Sequence, residues 1–304
     1  MDHVIVVGDP GSGKSTTLNA LCGTAPDTGT PFRSGLSVLS GLTTALQTIT
    51  VDGVRYSDTP GLDDAEHKEQ AAAAIADAVR LGGSVRLLFV MTMEAGRIRG
   101  TNLATIRIVL DALAEAEIAV DGRYSVVLNK MSVGEMAAWG DPRTGAAVLR
   151  SQLGRTAAVD QLVYVPRVDA LVDAADAQFP QATRDRLVEA VDTMATMTVL
   201  EGTDIVVRVD EVTRLTAHYE RALAEQRRRA HEAEEERWDR EERQRAALDA
   251  ARRRAESDHA SAAGLERDIA MQARDLVVAR QWNAGMGAVI AVAAWLVFKV
   301  PIFL

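Results

Sequence analysis

Cysteine is nearly absent from this 304-residue chain, where Cys22 stands alone. One thiol excludes an internal disulfide and any cysteine-rich metal site, and it fits a reducing compartment. An excess of basic charge is missing too. Residues 1–209 hold 26 acidic and 18 basic side chains, residues 210–304 hold 17 and 16, and the whole chain carries −9. Neither part offers the positive patch that nonspecific nucleic-acid binding needs, so no nucleic-acid partner is expected. Lysine is scarce, with four among 34 basic residues. The opening MDHVIVVGDP runs into an apolar stretch without the charged and apolar regions of a secretory signal, and none is expected. Between Asp210 and Trp282 there is no proline and a single glycine, Gly264. What is present, 47% hydrophobic and 25% charged residues, is the composition of a foldable chain. Its length suits one domain of about 200 residues plus something else, or two smaller domains.

Three zones follow from composition. In residues 1–209, short apolar and often β-branched runs at 5–7, 46–51, 85–91, 124–128 and 162–165 read as strands. Alanine-rich helical patterns lie at 70–81, 105–116 and 183–197, and Asp52-Gly53 reads as a hairpin turn. Alternation of this kind predicts an α/β sandwich with a mostly parallel sheet and one antiparallel pair. Residues 210–283 read as one long charged helix, of roughly 110 Å if continuous. The pairs Glu225/Arg229, Glu236/Arg240, Glu241/Arg245 and Asp249/Arg253 have the stabilising i,i+4 order. From Leu248 to Ala279 a 3-4 spaced stripe, four of its ten positions alanine, predicts a weak coiled coil or a face that packs back on the first zone. Residues 284–304 are apolar apart from Lys299. As a helix they would span about 31 Å, close to the ~30 Å hydrocarbon core, with Arg280 and Trp282 as interfacial anchors. A membrane-spanning C-terminal tail is expected, with an in-plane anchor or a helix buried in a partner as alternatives; Pro301 weakens the far end.

The strongest motif is Gly8-Asp9-Pro10-Gly11-Ser12-Gly13-Lys14-Ser15, followed by Thr16, which fits G-x-x-x-x-G-K-[ST] at every position. An apolar strand precedes it and a helical segment follows. The glycines let backbone N–H groups turn inward as an anion nest, and the helix N-terminus adds partial positive charge. Lys14 is expected on the β- and γ-phosphates and the Ser15 hydroxyl on Mg²⁺. Two of the four lysines, Lys14 and Lys130, fall where a compact ammonium is chemically useful.

Ser57-Asp58-Thr59-Pro60-Gly61-Leu62 closes the second strand of the expected hairpin. Here the chain resembles small GTPases, whose D-x-x-G box puts an aspartate in the Mg²⁺ shell and a glycine N–H on the γ-phosphate. That resemblance implies these roles for Asp58 and Gly61. D-T-P-G-L, with G-K-S-T-T-L-N-A-L-C-G over residues 13–23, looks most like the AIG1/GIMAP–Toc–septin (paraseptin) branch. It covers roughly residues 1–200 and implies a P-loop NTPase three-layer sandwich with GTP or GDP and Mg²⁺ as cofactors. A switch loop is expected over residues 34–50, with Thr43 or Thr44 as the threonine that meets Mg²⁺ and the γ-phosphate. Relatives carry [NT]-K-x-D as the base-reading box. Asn129-Lys130-Met131-Ser132 matches its first two positions and puts Ser132 in the aspartate's place. Where many small GTPases carry a water-orienting glutamine, this chain has Leu62. The resemblance then implies slow hydrolysis that speeds up when two G domains dimerise. Arg97, Arg99 and His67 are conceivable donated groups, while His218, His231 and His259 lack metal-ligand spacing.

The combined expectation is a GTP–Mg²⁺ binding protein that hydrolyses slowly, with self-association through the G domain or the coiled coil. Its tail would hold it to the cytosolic face of an intracellular membrane. The alternatives are a nucleotide-regulated membrane scaffold with little hydrolysis, and a P-loop ATPase.

Overall fold

The structure, a computed structural model, describes residues 1–23, 31–32, 43–62, 67–154, 158–169 and 179–298. Residues 34–42 of the expected switch loop and residues 299–304 of the expected tail lie outside the described residues. The chain divides into two compact units, Met1–Arg227 and Arg228–Leu304.

In chain order the first unit holds β1 (Asp2–Val7), α1 (Lys14–Cys22), β2 (Gln47–Val51), β3 (Val54–Asp58), α2 (Lys68–Arg80), β4 (Gly83–Thr92) and α3 (Gly100–Glu115). Then come β5 (Tyr124–Met131), α4 (Val133–Trp139), α5 (Pro142–Leu153), β6 (Gln161–Pro166), α6 (Gln181–Thr193), β7 (Met197–Val199) and the start of α7 (Asp210–Phe298). The sheet order is β2-β3-β1-β4-β5-β6, and β7 pairs with the first residues of β4. Pairing is parallel except for β2 with β3 and β7 with β4. The β2–β3 connection is the two-residue turn expected of Asp52-Gly53. Both residues have positive φ, 49° and 78°, whose twist matches that of the flanking strands.

Because side chains alternate along a strand, the central strands feed two separate cores. Ile5, Val7, Leu87, Phe89, Val126 and Leu128 face α2, α3 and α5, and the same layer takes in Val212, Tyr219 and Leu223 of α7. Val4, Val6, Leu88, Val90, Val127 and Val163 face the other way, onto Leu18 of α1 and Leu187 of α6. The result is a three-layer sandwich. The C-terminal ends of β1, β3, β4 and β5 share one edge of the sheet, where open α/β folds place their ligands.

Some boundaries differ from the sequence expectation. The helix expected through Met197 stops at Thr193, where the Ala195 N–H turns to the Asp160 carboxylate at 2.7 Å. Met197 and Val199 then alternate inward as β7, a strand too short to separate from a helical pattern by periodicity. Helices α4 and α5 were not anticipated, although Ser132 and Glu135 form the reciprocal cap that starts α4, and Asp141 and Pro142 start α5.

Helix α7 begins at Asp210 as expected, but its first turns belong to the sandwich, so the first unit runs on to Arg227. In the second unit the described side chains are almost all exposed. Of the expected ion pairs, Arg240 and Arg253 reach instead for the carbonyls of Glu236 and Asp249. Glu241 and Glu256 are taken by Arg237 and Arg252. These exposed pairs are each worth at most about 0.5 kcal/mol. No helix among the described residues is long and apolar enough to cross a membrane, and residues 299–304 of the expected tail lie outside them. Within α7 the apolar run 284–298 is about 22 Å long, short of the ~30 Å core.

One polar chain, buried at His3 and Ser57 and open at Thr48, ties β1, β3 and β2 together. His3 Nε2 lies 2.8 Å from Ser57 Oγ, which lies 2.9 Å from Thr48 Oγ1. Burial, aided by the Arg55 charge, pulls the His3 pKa from 6.5 down to about 4. An unfolded chain binds this proton first, so the contribution is complete above pH 6.5 and is lost as pH falls from 6.5 to 4. Urea unfolding from pH 7 to pH 4 should show wild type losing up to about 3 kcal/mol more than His3→Gln. Parallel curves for the two proteins would show that His3 is not buried as the neutral form.

Candidate nucleotide site

The loop between β1 and α1 stands at the shared sheet edge, and its carbonyls are fastened outward. Lys14 Nζ donates to the Gly8 and Asp9 carbonyls at 3.0 and 3.1 Å. Lys130 Nζ donates to the Gly11 carbonyl at 2.8 Å, and Asn129 Nδ2 to the Ser12 carbonyl at 2.8 Å. The Gly13 carbonyl accepts from the backbone N–H of Thr17, and from its hydroxyl, at 2.9 Å. Gly13 sits at φ 97°, and a Cβ there would collide with the Asn129 side chain, so glycine is required. Apart from the Ser12 N–H, which donates to the Asp9 carbonyl at 3.2 Å, a loop held by its carbonyls leaves its N–H groups for an anion.

Oxygen ligands gather at the mouth of the loop. Ser15 Oγ donates to Asp58 Oδ2 at 2.6 Å, and Thr43 Oγ1 donates to the same oxygen at 3.0 Å. Ser15 and Thr43 hydroxyls are 3.3 Å apart. Asp58 is fully buried, and its other oxygen, Oδ1, has no hydrogen-bond partner among the described residues. Burial raises the Asp58 pKa, against the Ser15 hydrogen bond, the Lys14 charge and the Thr43 hydrogen bond. Burial likewise lowers the pKa of Lys14, opposed by the charges of Asp58 and Asp9. A buried carboxylate oxygen without a partner beside two hydroxyls is a set that suits Mg²⁺, a hard cation that takes oxygen ligands. Between the two expected switch threonines the structure distinguishes clearly: Thr43 joins this cluster, and Thr44 is exposed. Gly61 is packed so closely on Pro10 that a Cβ would collide with the proline ring, which sets the D-x-x-G turn directly on the loop. Thr16 is half-buried beside the loop on the first turn of α1.

Residues 3–130 match the family model described as 50S ribosome-binding GTPase. The N-terminal part of this chain is a P-loop GTPase domain. No curated protein matches the chain. Similar solved structures include Toc33 from Arabidopsis thaliana in complex with GDP and Mg²⁺, at 18% identity and TM-score 0.40, covering 65% of this chain and 87% of that one. They also include S. thermophilus NFeoB: a mutant bound to GMPPNP, at 17% identity and TM-score 0.36, covering 64% of this chain and 62% of that one. A second NFeoB structure, bound to GDP·AlF4⁻ and K⁺, aligns at 19% identity and TM-score 0.35, with coverages of 64% and 62%. This chain thus spans less than two thirds of the NFeoB chain.

GTP or GDP with Mg²⁺ are the ligands expected of this GTPase domain, and the residues present fit them. Lys14, Ser15 and the loop N–H groups would hold the phosphates, and Ser15, Thr43 and Asp58 the cation. Bound there, Mg²⁺ neutralises phosphate charge. Asn129 and Lys130, expected at the base, brace the loop carbonyls as described. Ser132 caps α4: its hydroxyl accepts the Glu135 N–H at 3.2 Å and lies 2.9 Å from Glu135 Oε2. The S-x-x-E spacing was the signal for this cap. Leu62 is fully buried in the core beside α2. Arg99 pairs with Glu94 at 3.6 Å, Arg97 is exposed, and His67 precedes α2.

Two residues went unsuspected. Thr101 and Thr105 of α3 hold the Asp9 carboxylate, at 3.0 and 3.3 Å. Their i,i+4 spacing puts both hydroxyls on one face at the start of a helix, but nothing in the sequence tied that face to residue 9.

The geometry separates the two threonines by experiment. Thr43→Ala should weaken Mg²⁺-dependent nucleotide affinity about 10-fold or more, the scale of a hydrogen bond to a charged group. Thr44→Ala should leave it unchanged. Magnesium titrations with a fluorescent nucleotide check both, and equal effects of the two variants would remove Thr43 from the cation site.

Proposed function

We propose that this chain is a GTP-binding protein that takes GTP with Mg²⁺ at Gly8–Ser15 and hydrolyses it slowly. The observation that carries this reading is the cluster of Ser15, Thr43 and Asp58, whose Oδ1 has no partner among the described residues, next to a buried Lys14. Slow turnover follows from Leu62. An apolar side chain sealed in the core cannot orient water, so the chain lacks its own group at that position. In this reading the GTPase domain is of the AIG1/GIMAP type. Pairing of two such domains, or of the exposed stripe of α7, would then supply the missing group or raise its local concentration.

A second reading is favoured by the same leucine. With hydrolysis negligible, nucleotide would set only the conformation of a scaffold. Base selectivity is reduced in either case. Ser132 is a neutral residue engaged in a helix cap, and losing a carboxylate reader removes about 1.5–3 kcal/mol of preference for guanine. Membrane attachment belongs to this proposal only if residues 299–304 extend the short apolar run of α7. Deleting residues 286–304 would then abolish flotation with phospholipid vesicles, and unchanged flotation would exclude the tail as anchor.

The decisive experiment is competition between GTP and ATP with Lys14→Ala as control. GTP should bind more tightly than ATP, by a margin that Ser132→Asp widens about 10-fold or more. Lys14→Ala should abolish binding of both. ATP bound as tightly as GTP would overturn the guanine reading. Single-turnover hydrolysis across protein concentration then divides the two readings. Turnover per molecule should rise as the chain self-associates, and a flat, negligible rate would leave the scaffold.

A further inference from the structure

A carboxylate in a phosphate-binding loop is awkward in charge, yet Asp9 is the loop's second residue and is buried. Thr101 Oγ1 donates to Asp9 Oδ2 at 3.0 Å and Thr105 Oγ1 to Oδ1 at 3.3 Å. Both threonines stand on the first two turns of α3. That helix starts at Gly100 without a side-chain cap, so its N-terminal partial charge also favours the carboxylate. Asp9 therefore directs its charge away from the anion nest and fastens the loop to α3.

The far side of the same turn is occupied. A Cβ on Gly100 would sit 2.6 Å from Glu220 Cγ and 3.1 Å from the Thr216 carbonyl oxygen, both on α7. Tyr219, between them, is buried and feels the charges of Arg107 and Asp111 on α3. The first turn of α3 is thus held between the phosphate loop and the base of α7, with no slack for a methyl group. Close-packed elements of this kind shift as bodies and do not deform smoothly.

We propose that Asp9 is a positioning residue that couples phosphate occupancy of the loop to the base of α7, through Thr101, Thr105 and Gly100. This rests on the reading of Gly8–Ser15 as a nucleotide site. Phosphate charge brought next to Asp9 increases the demand on the two hydroxyls and the α3 terminus, tightening α3 on the loop. Glu220 and Thr216 then follow Gly100. Because coupling is reciprocal, pressure on Gly100 from α7 must weaken nucleotide binding.

Hydrogen exchange on the full chain, with and without GMPPNP–Mg²⁺, tests this. Nucleotide should slow exchange over residues 212–223 about fivefold or more, the lower end of ordinary site-to-site coupling. The double variant Thr101→Val/Thr105→Val should bind GMPPNP but lose that protection, and Thr101→Ser/Thr105→Ser should restore it. Gly100→Ala should lower GMPPNP affinity about fivefold by reciprocity. If wild type binds GMPPNP and residues 212–223 exchange unchanged, the coupling is wrong while the nucleotide reading stands. If wild type binds no nucleotide by fluorescence, the nucleotide reading fails and takes the coupling with it.

Discussion

A phosphate loop must turn its N–H groups toward an anion, so its carbonyls have to be satisfied from outside. That constraint organises the GTPase domain. The carbonyls of Gly8, Asp9, Gly11, Ser12 and Gly13 accept from Lys14, Lys130, Asn129 and Thr17, donors drawn from α1 and the end of β5. Each neutral hydrogen bond of this kind is worth about 1 kcal/mol net, and those from ammonium groups more. Together they fix a backbone that would otherwise collapse onto its own peptide groups. The rarity of lysine gains a physical meaning here. Two of four lysines clamp one loop, where a flexible stem with a rotatable point charge can reach a carbonyl that a planar guanidinium would fit poorly.

The same clamp explains what could be read from the sequence. The loop was legible because its chemistry is encoded in covalent spacing, eight residues between a strand and a helix. The hairpin was legible because Asp52-Gly53 has one favoured geometry. Asn129 and Lys130 were assigned by resemblance to the base, and the structure places their side chains on loop carbonyls more than 110 residues away in sequence. Contacts at that separation leave no local pattern. Thr43 and Thr44 were indistinguishable because neighbouring positions in a loop carry no periodicity. The tail was read from the length of 284–304 as a helix, and its last six residues lie beyond the described end of α7.

The segment after β3 is unusually fixed for a turn next to a reactive site. Thr59 Oγ1 donates to the buried Val6 carbonyl at 2.7 Å, Gly61 abuts Pro10, and Leu62 is sealed in the core. Burying a leucine contributes about 1.5–3 kcal/mol, and the threonine bond about 1 kcal/mol more. Thr43 is joined to the site by hydroxyl contacts with Asp58 and Ser15, and it is only half-buried. Of these residues, Thr43 is less buried than Asp58, Thr59 or Leu62.

Helix α7 divides the energetic logic of the chain. Up to Leu223 it contributes apolar side chains to the core, and its stability is that of the sandwich. Past Arg227 its described side chains are nearly all exposed, so propensity and i,i+4 pairs must sustain it. Those terms are a few tenths of a kcal/mol each, enough to favour a helix rich in Ala, Glu and Arg but not to account for its apolar positions. Leu248, Leu265, Ile269 and Leu276 keep 3-4 spacing and remain 58–70% exposed. Placing four such side chains in water forgoes about 1.5–3 kcal/mol apiece. A second helix with the same stripe would recover part of that energy, and the alanines between them would let the two backbones come close. The charged stretch before Leu248 has no such stripe, so any pairing through it is confined to residues 248–279 and leaves the first turns of α7 unpaired.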